Sequence, residues 1–192
     1  MYDIMKKWFL SIVSTLVLLV AFGTEGRAQR FSFGTNIVDW ASLGTINLEA
    51  SVAFQQHFSA HVGAEVNPWT YRAGDQDKQF EARQISYWAG VRWWPWHVYS
   101  GWWAGSDLRY SVYNIGGVIK RDTEEGDAYG VGLYGGYSIM LSSVLNLDLG
   151  FGAWGGYKKY TSYACPVCGV RTDSGSKAFI IPDARVAIQF IF

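Results

Sequence analysis

Two cysteines stand three positions apart in the segment Cys165–Gly169, which reads CPVCG. Thiols at this spacing could take part in redox exchange, or could supply two ligands to a zinc ion that found two more. The chain has no other cysteine, and no thioredoxin-like order of strand and helix surrounds this segment. In an oxidising compartment the spacing favours a local disulfide between Cys165 and Cys168, with metal binding and redox chemistry as the alternatives.

A second set of chemically capable residues is spread along the chain. Its members are five carboxylates and three arginines on the polar side of segments in which apolar and polar residues alternate. They are Glu49, Glu65, Asp107, Asp148 and Asp183, together with Arg92, Arg109 and Arg185. Residues two apart on a β-strand share one face, so whether these charges meet depends on how the strands are arranged.

Period-2 alternation recurs along most of the chain and predicts strands. The segments are Phe31–Val38, Thr45–Gln55, Phe58–Trp69, Gln79–Trp94, Trp102–Ile115, Asp127–Met140, Val144–Tyr160 and Ala178–Phe192. Most of them exceed the roughly 9 to 11 residues with which a tilted strand crosses a bilayer. An even number of such strands fits an all-β fold, an eight-stranded antiparallel transmembrane barrel that leaves no unpaired edge in lipid.

The start of the chain has the pattern of a secretory signal. Lys6 and Lys7 precede an apolar stretch from Trp8 to Phe22, which is shorter than the roughly 20 residues of a membrane-spanning helix. Small residues at Gly26 and Ala28 predict cleavage ahead of Gln29, with an uncleaved anchor as the alternative. The sequence thus predicts a signal peptide over residues 1–28 and one outer-membrane barrel domain over residues 29–192.

Composition and connections agree with that architecture. Lys and Arg together number 16, as do Asp and Glu, so no broad basic surface indicates nucleic acid as a partner. Three connections are short, and three of the four that alternate with them are long and polar, as in outer-membrane barrels. Aromatic residues at the strand ends predict two membrane-interface bands. One of these bands includes Trp93, Trp94, Trp96, Trp102 and Trp103.

The polar faces of the strands predict what fills the barrel. Eight strands enclose a space just wide enough for side chains, so the eight charged residues named above are expected to form a plug of paired charges in the lumen. A narrow channel for ions or small solutes is one alternative to this plug. A soluble lipocalin-like barrel or sandwich, whose apolar residues point inward, is the other. It would have to bury Glu49, Glu65, Asp148 and Arg185 on the other face or expose a continuous aromatic surface.

Histidine placement weighs against catalysis. Lipid-modifying enzymes on barrels of this size need a base or nucleophile at the outer leaflet, usually a histidine beside Ser, Asp or Glu. His57 and His97 fall in the predicted periplasmic turns, and His61 lies just above one of them. The sequence therefore predicts no catalytic residue, no metal site and no cofactor, and a lipid-modifying enzyme remains only as an alternative.

The run from Phe33 to Tyr71 resembles a family of small Bacteroidota outer-membrane proteins of unknown function, DUF3575. The shared motifs are Asn-x-x-Asp-Trp at Asn36–Trp40, Gly-Thr-Ile-Asn-x-Glu at Gly44–Glu49, and Asn-Pro-Trp at Asn67–Trp69. The resemblance implies an outer-membrane barrel whose gene often lies beside genes for fimbrillin-type surface proteins. It implies no catalytic residues, and the Cys165–Cys168 loop is not part of the family pattern.

The last strand resembles the assembly signal of Gram-negative outer-membrane proteins. Val186, Ile188, Phe190 and Phe192 form its apolar face and end the chain on an aromatic residue. The resemblance implies that this face contacts lipid and addresses the chain to the barrel-insertion machinery. The sequence as a whole predicts a non-enzymatic outer-membrane protein with a structural or interaction role, whose partners are lipid, the insertion machinery and surface or fimbrial proteins.

Overall fold

The computed structural model describes residues 30–73, 79–117, 122–165 and 169–192 of the 192-residue chain. The predicted signal peptide, residues 1–28, lies outside them. Nine strands and one short helix form the described part. They are β1 (Phe31–Asn36), α1 (Ile37–Ala41), β2 (Ile46–Gln55), β3 (Phe58–Asn67), β4 (Thr70–Tyr71), β5 (Phe80–Trp93), β6 (Gly101–Gly116), β7 (Thr123–Met140), β8 (Leu145–Tyr163) and β9 (Arg171–Ile191). The prediction of an all-β antiparallel fold is confirmed.

The strands pair in a sheet that curls into a ring. Their order is β3-β2-β1-β9-β8-β7-β6-β5-β4, and β3 also pairs with β5 from Phe58 opposite Trp93 to Asn67 opposite Gln84. The first strand and the end of the chain meet where Phe31 and Phe192 exchange backbone hydrogen bonds of 3.1 and 2.8 Å. Strands β1 to β3 and β5 to β9 make up the ring, while the two-residue β4 adds to β5 outside it.

The first strand and the last hairpin differ from the predicted segments for local reasons. The first strand ends at Asn36, two residues early, because the Asn36 side chain accepts a 3.3 Å hydrogen bond from the Val38 amide and starts α1. Strand β9 begins at Arg171, well before the predicted Ala178, and β8 continues to Tyr163. Much of the predicted long loop is therefore strand, in which both faces are polar and exposed and so show no alternation.

The ring has a turn end, which holds connections 56–57, 94–100 and 141–144, and a loop end, where α1 lies. At the turn end the 94–100 connection folds inward, and an apolar cluster fills the interior. The cluster consists of Trp94, Val98, Tyr99, Trp103 and Ile191. Gly136 and Gly150 make room for it, because a Cβ on either would lie less than 3 Å from the Trp103 ring. The prediction that Trp94 and Trp103 belong to an interface band is thus wrong, since both are buried.

The outward face of the ring is apolar. Leu108, Leu133 and Phe151, in the middle of β6, β7 and β8, are 70, 66 and 67% exposed. Four exposed tyrosines lie opposite one another across β5 to β8, namely Tyr87, Tyr110, Tyr129 and Tyr157. Among the residues described, no helix has both the length and the apolar character that a membrane-spanning helix needs.

Candidate functional site

Glu49 and Asp148 organise the first group of charges inside the ring. Glu49 on β2 accepts hydrogen bonds of 2.8 Å from Arg92 on β5 and from Arg185 on β9, and one of 3.2 Å from the Trp88 indole. Asp148 on β8 accepts bonds of 2.7 Å from Arg185 and 2.6 Å from the Trp103 indole. The two carboxylate side chains are 5 and 0% exposed and that of Arg185 is 16% exposed, so the network joins four strands through charges that are largely shielded from water.

Arg109 on β6 centres a second group. Its Nη1 lies 3.1 Å from Asp183 Oδ2 and its Nη2 lies 3.8 Å from Asp107 Oδ2. The guanidinium also lies 5.1 Å from the centroid of the Trp88 ring and 5.4 Å from that of Trp154. Aromatic faces attract a cation, so these rings help to hold Arg109 in front of the carboxylates of this group.

Two further carboxyl groups, those of Glu65 and Asp39, lie near the second group, and few hydrogen-bond donors or positive charges of the described residues offset them. Glu65 on β3 accepts a 3.3 Å hydrogen bond from Gln84. Asp39 belongs to α1, and burial together with the negative charges of Glu65 and Asp183 raises its pKa to about 7, while Asn36 and Arg109 oppose that shift. Sequence reasoning missed Asp39 as a site residue because it treated residues 39–44 as a compact connection. The only signal was the Asn-x-x-Asp spacing at the strand end.

A cavity of about 410 Å³ lies between α1 and the interior faces of the strands. Seven of the eight predicted charged residues line it, and Asp148 stands behind them in contact with Arg185 and Arg92. His61 Nδ1 and Asp107 Oδ1, both on side chains that are 3% exposed, have no hydrogen-bond partner in the described part of the chain. The interior is thus a network of charges around a polar space, not a fully packed plug.

The other residues that could do chemistry are placed apart. His57 and His97 lie in connections at the turn end, and His61 lies within the cavity, 3.9 Å from Asp107. Cys165 follows β8, while Cys168 lies outside the described residues, so the disulfide stays a prediction. Within the described ranges, no three His, Cys, Asp or Glu side chains are grouped so that they could hold a metal ion.

At Asn36 the pairing between β1 and β9 ends. Strand β1 pairs with β9 only from Ser32 opposite Ile191 to Asn36 opposite Ala187. The Asn36 side chain then accepts a 2.9 Å bond from the Val186 amide and donates a 3.2 Å bond to the Ala184 carbonyl. Beyond this point, in the residues that the structure describes, β9 pairs with β8 on one side and with no strand on the other.

That free edge can be defined residue by residue. Alternate residues of an antiparallel strand direct their backbone N–H and C=O groups to the same side. The Val186 amide and the Ala184 carbonyl point away from β8, so the backbone groups of the preceding even-numbered residues of β9 do as well. Ser176, Ala178 and Ile180 therefore present their backbone groups at the edge. Pro182 has the same phase, and its missing N–H costs no sheet hydrogen bond there, as expected of proline on an edge.

The predicted assembly signal occupies the paired end of β9. Phe190 and Phe192 are exposed on the outside of the ring, while Val186 and Ile188 are half-buried. Phe190 lies opposite Phe33 of β1 and Leu145 of β8, so the last residues of the chain join its first strand to its last hairpin.

Comparison with known proteins gives one finding about family. No curated protein matches the chain. A family model described as "Protein of unknown function (DUF3575)" matches residues 14–192, which is most of the sequence. The resemblance that the motifs of residues 33–71 indicated is thereby confirmed, and the chain belongs to the DUF3575 family.

Proposed function

We propose that this protein is a non-enzymatic outer-membrane β-barrel that serves as a structural or interaction protein at the cell surface. One observation carries the proposal: large apolar side chains cover the outside of the ring, while paired charges occupy its interior. This arrangement is the reverse of a water-soluble protein, in which exposed apolar patches are small and charged groups face solvent. It is the arrangement that a barrel in lipid requires.

A closed interior is favoured over a channel. The 94–100 connection is held inside the ring by hydrogen bonds from the Trp94 indole to Ser59, 3.0 Å, and from Asn146 to the Tyr99 carbonyl, 2.6 Å. The large side chains of the apolar cluster fill the interior of the ring at the turn end. We therefore propose that the cavity is blind at this end and that the protein does not conduct ions.

The loop end supplies the surface for interaction. Strands β8 and β9 are 19 and 21 residues long, whereas β2 and β3 are each 10 residues long. The β8–β9 hairpin therefore extends beyond β2 and β3 at the loop end. The edge of β9 at Ser176, Ala178 and Ile180 presents unpaired backbone groups, to which an extended segment of another protein could add as a strand. A surface or fimbrial subunit is the partner that we propose.

Export and insertion complete the proposal. A signal peptide over residues 1–28 would carry the chain across the inner membrane. The apolar side chains of β9 at its paired end would then contact both lipid and the insertion machinery. Both termini of the mature domain would lie on the periplasmic side, which places the turn end there and the loop end outside.

The first test is electrophoresis of the protein extracted from membranes, with and without boiling in detergent. A barrel resists detergent until it is heated, so we expect a shift in mobility on boiling. Planar-bilayer recordings of the same preparation are expected to show no steady current. A protein that partitions into the soluble periplasmic fraction and shows no mobility shift would contradict the membrane assignment, and steady conductance would contradict the closed interior.

A second test addresses the partner. A photo-crosslinking residue at Ser176, on the free edge, is expected to capture a discrete surface protein in whole cells. The same residue at Ser142, in the exposed turn 141–144 at the opposite end, is the matched control and should not capture that protein. Equal capture from both positions, or none from Ser176, would contradict a role for the β9 edge.

A further inference from the structure

The cavity beneath α1 contains more negative than positive groups. In the described part of the chain, the cavity and the network behind it hold six carboxyl groups and three arginines. The carboxyl groups are Asp39, Glu49, Glu65, Asp107, Asp148 and Asp183, and the arginines are Arg92, Arg109 and Arg185. Buried charges need opposite charges or hydrogen-bond donors, so an excess of carboxylates in an enclosed space calls for a positive partner.

The excess lies on one side of the cavity. Arg92 and Arg185 both bind Glu49, and both also lie within 4 Å of Asp148. Among the arginines that the structure describes, Arg109 faces the other carboxyl groups, and its closest contact is Asp183. Glu65, whose described hydrogen-bond donor is Gln84, and Asp39 on α1 therefore form an acidic wall, which Arg109 balances in part.

Buried acceptors without partners face the same space. Asp107 Oδ1 receives no hydrogen bond in the described residues, although the Asp107 side chain is 3% exposed. His61 Nε2 is directed at Asp107 Oδ2, so a proton on that nitrogen leaves the unpartnered Nδ1 as a second acceptor. Among the described residues, the unpartnered donors of the cavity are Arg92 Nη1, Arg109 Nε and the Tyr134 hydroxyl, and both guanidiniums already face carboxylates. A ligand rich in N–H donors would satisfy the acceptors.

We propose that this cavity binds a small organic cation with a primary ammonium group, of about the size of a short aliphatic diamine. An ammonium offers three donors, which suits Glu65, Asp39 and Asp107. The cavity volume of about 410 Å³ is within the usual range for small-molecule sites and far exceeds a single metal ion. The rings of Trp88 and Trp154 line it and would contact the aliphatic part of the ligand.

Calorimetric titration of the purified, detergent-solubilised protein with 1,4-diaminobutane at pH 8 tests the proposal. We expect saturable binding by wild-type protein and at least a tenfold weaker affinity in Glu65→Gln. Asp39→Asn is expected to weaken binding as well. Asp122→Asn, which alters an exposed carboxylate outside the cavity, is the matched control and should bind like wild type. Each variant is first shown to keep the heat-dependent mobility shift of the folded protein.

Two further probes separate the proposed ligand class from others. Butane-1,4-diol has the same chain length without charge, and equally tight binding of it would overturn the requirement for a cation. Magnesium chloride that binds with equal or greater affinity and displaces the diamine would overturn the organic class. No heat with diaminobutane up to roughly 10 mM would also overturn the proposal and would leave protons as the counter-charge of the cavity.

Discussion

Glu49 is the carboxylate that binds both arginines of the first group of interior charges. It binds two arginines and one indole, and its side chain is 5% exposed. Glu49→Gln keeps the shape but removes the charge, so Arg92 and Arg185 would share Asp148 alone. Breaking a buried ion pair typically costs about 3 to 5 kcal/mol, and we expect a loss of that size in the free energy of unfolding.

Urea unfolding in detergent, followed by tryptophan fluorescence, measures this loss. Asp122→Asn is the control, because substitutions at exposed positions usually change stability by less than about 0.5 kcal/mol. If Glu49→Gln unfolds at the same urea concentration as Asp122→Asn, the network does not hold the strands together.

The raised pKa of Asp39 predicts how the free energy of unfolding changes with pH. Burial and the charges of Glu65 on β3 and Asp183 on β9 raise its pKa to about 7 from 3.8, against the opposing charge of Arg109 on β6. The folded state therefore binds a proton that the unfolded state releases, and this contribution to stability should fall as pH rises from about 4 to about 7. The slope cannot exceed about 1.4 kcal/mol per pH unit for one proton.

The measurement is the difference between wild type and Asp39→Asn in unfolding free energy at several pH values. The variant cannot titrate at this position, so its curve should be flatter over that interval. Parallel curves for the two proteins would mean that residue 39 keeps an ordinary pKa.

At the scale of elements, Asn36 holds together the end of β1, the start of α1 and the middle of β9. It accepts hydrogen bonds from the amides of Val38 and Val186 and donates one to the Ala184 carbonyl. Asn36→Ala would leave these backbone groups without partners, and we expect it to cost about 1 to 3 kcal/mol.

Asn36→Asp separates the contribution of the hydrogen bond that Asn36 donates from that of the hydrogen bonds that it accepts. The carboxylate can still accept from Val186 and Val38 but cannot donate to Ala184, so its cost should lie between those of wild type and alanine. Amide hydrogen exchange at Val186 gives the local measurement. Exchange that stays as slow in Asn36→Ala as in wild type would show that the contact does not protect this amide.

The sequence predicts the central parts of the strands well, since each has one apolar and one polar face. It fails at the outer part of the β8–β9 hairpin, where both faces meet solvent and Arg171–Lys177 shows no alternation. It also fails at α1, because five residues are too few to show helical periodicity. Trp94 and Trp103 were misplaced because an aromatic ring near a strand end suits a membrane interface and a buried cluster equally well.

The same reasoning applies to the site. Strand phase is enough to choose the eight charged residues, but it does not determine their partners, which depend on register between strands. Glu49 on β2 and Arg185 on β9 are 136 positions apart in sequence and meet because β1 pairs with both strands, which places β2 and β9 one strand apart. Asp39 enters the cavity through α1, and no strand pattern could have placed it there.

At the scale of the whole molecule, the outward face of the ring is the feature that distinguishes a barrel in lipid from a barrel in water. Leu108 is 70% exposed in the middle of β6, and an arginine there would be harmless in water. In lipid the same substitution costs about 2 to 4 kcal/mol near the middle of the bilayer. We therefore expect Leu108→Arg to reduce the fraction of protein that folds into lipid vesicles, as judged by heat-dependent mobility.

Ser176→Arg adds the same charge on the free edge of β9 and serves as the control. It should fold into vesicles as efficiently as wild type. Equal folding of both variants would indicate that the side chain at position 108 does not contact lipid.

The measurement that tests the central claim most directly is the environment of single spin labels in the reconstituted protein. Labels would be attached at Leu133→Cys, on the outward apolar face, and at Ser176→Cys, in a background with Cys165→Ser and Cys168→Ser. We expect the label at 133 to collide mainly with oxygen, which concentrates in lipid, and the label at 176 to collide mainly with a water-soluble nickel complex. A label at 133 that is as accessible to the nickel complex as the label at 176 would contradict the outer-membrane barrel.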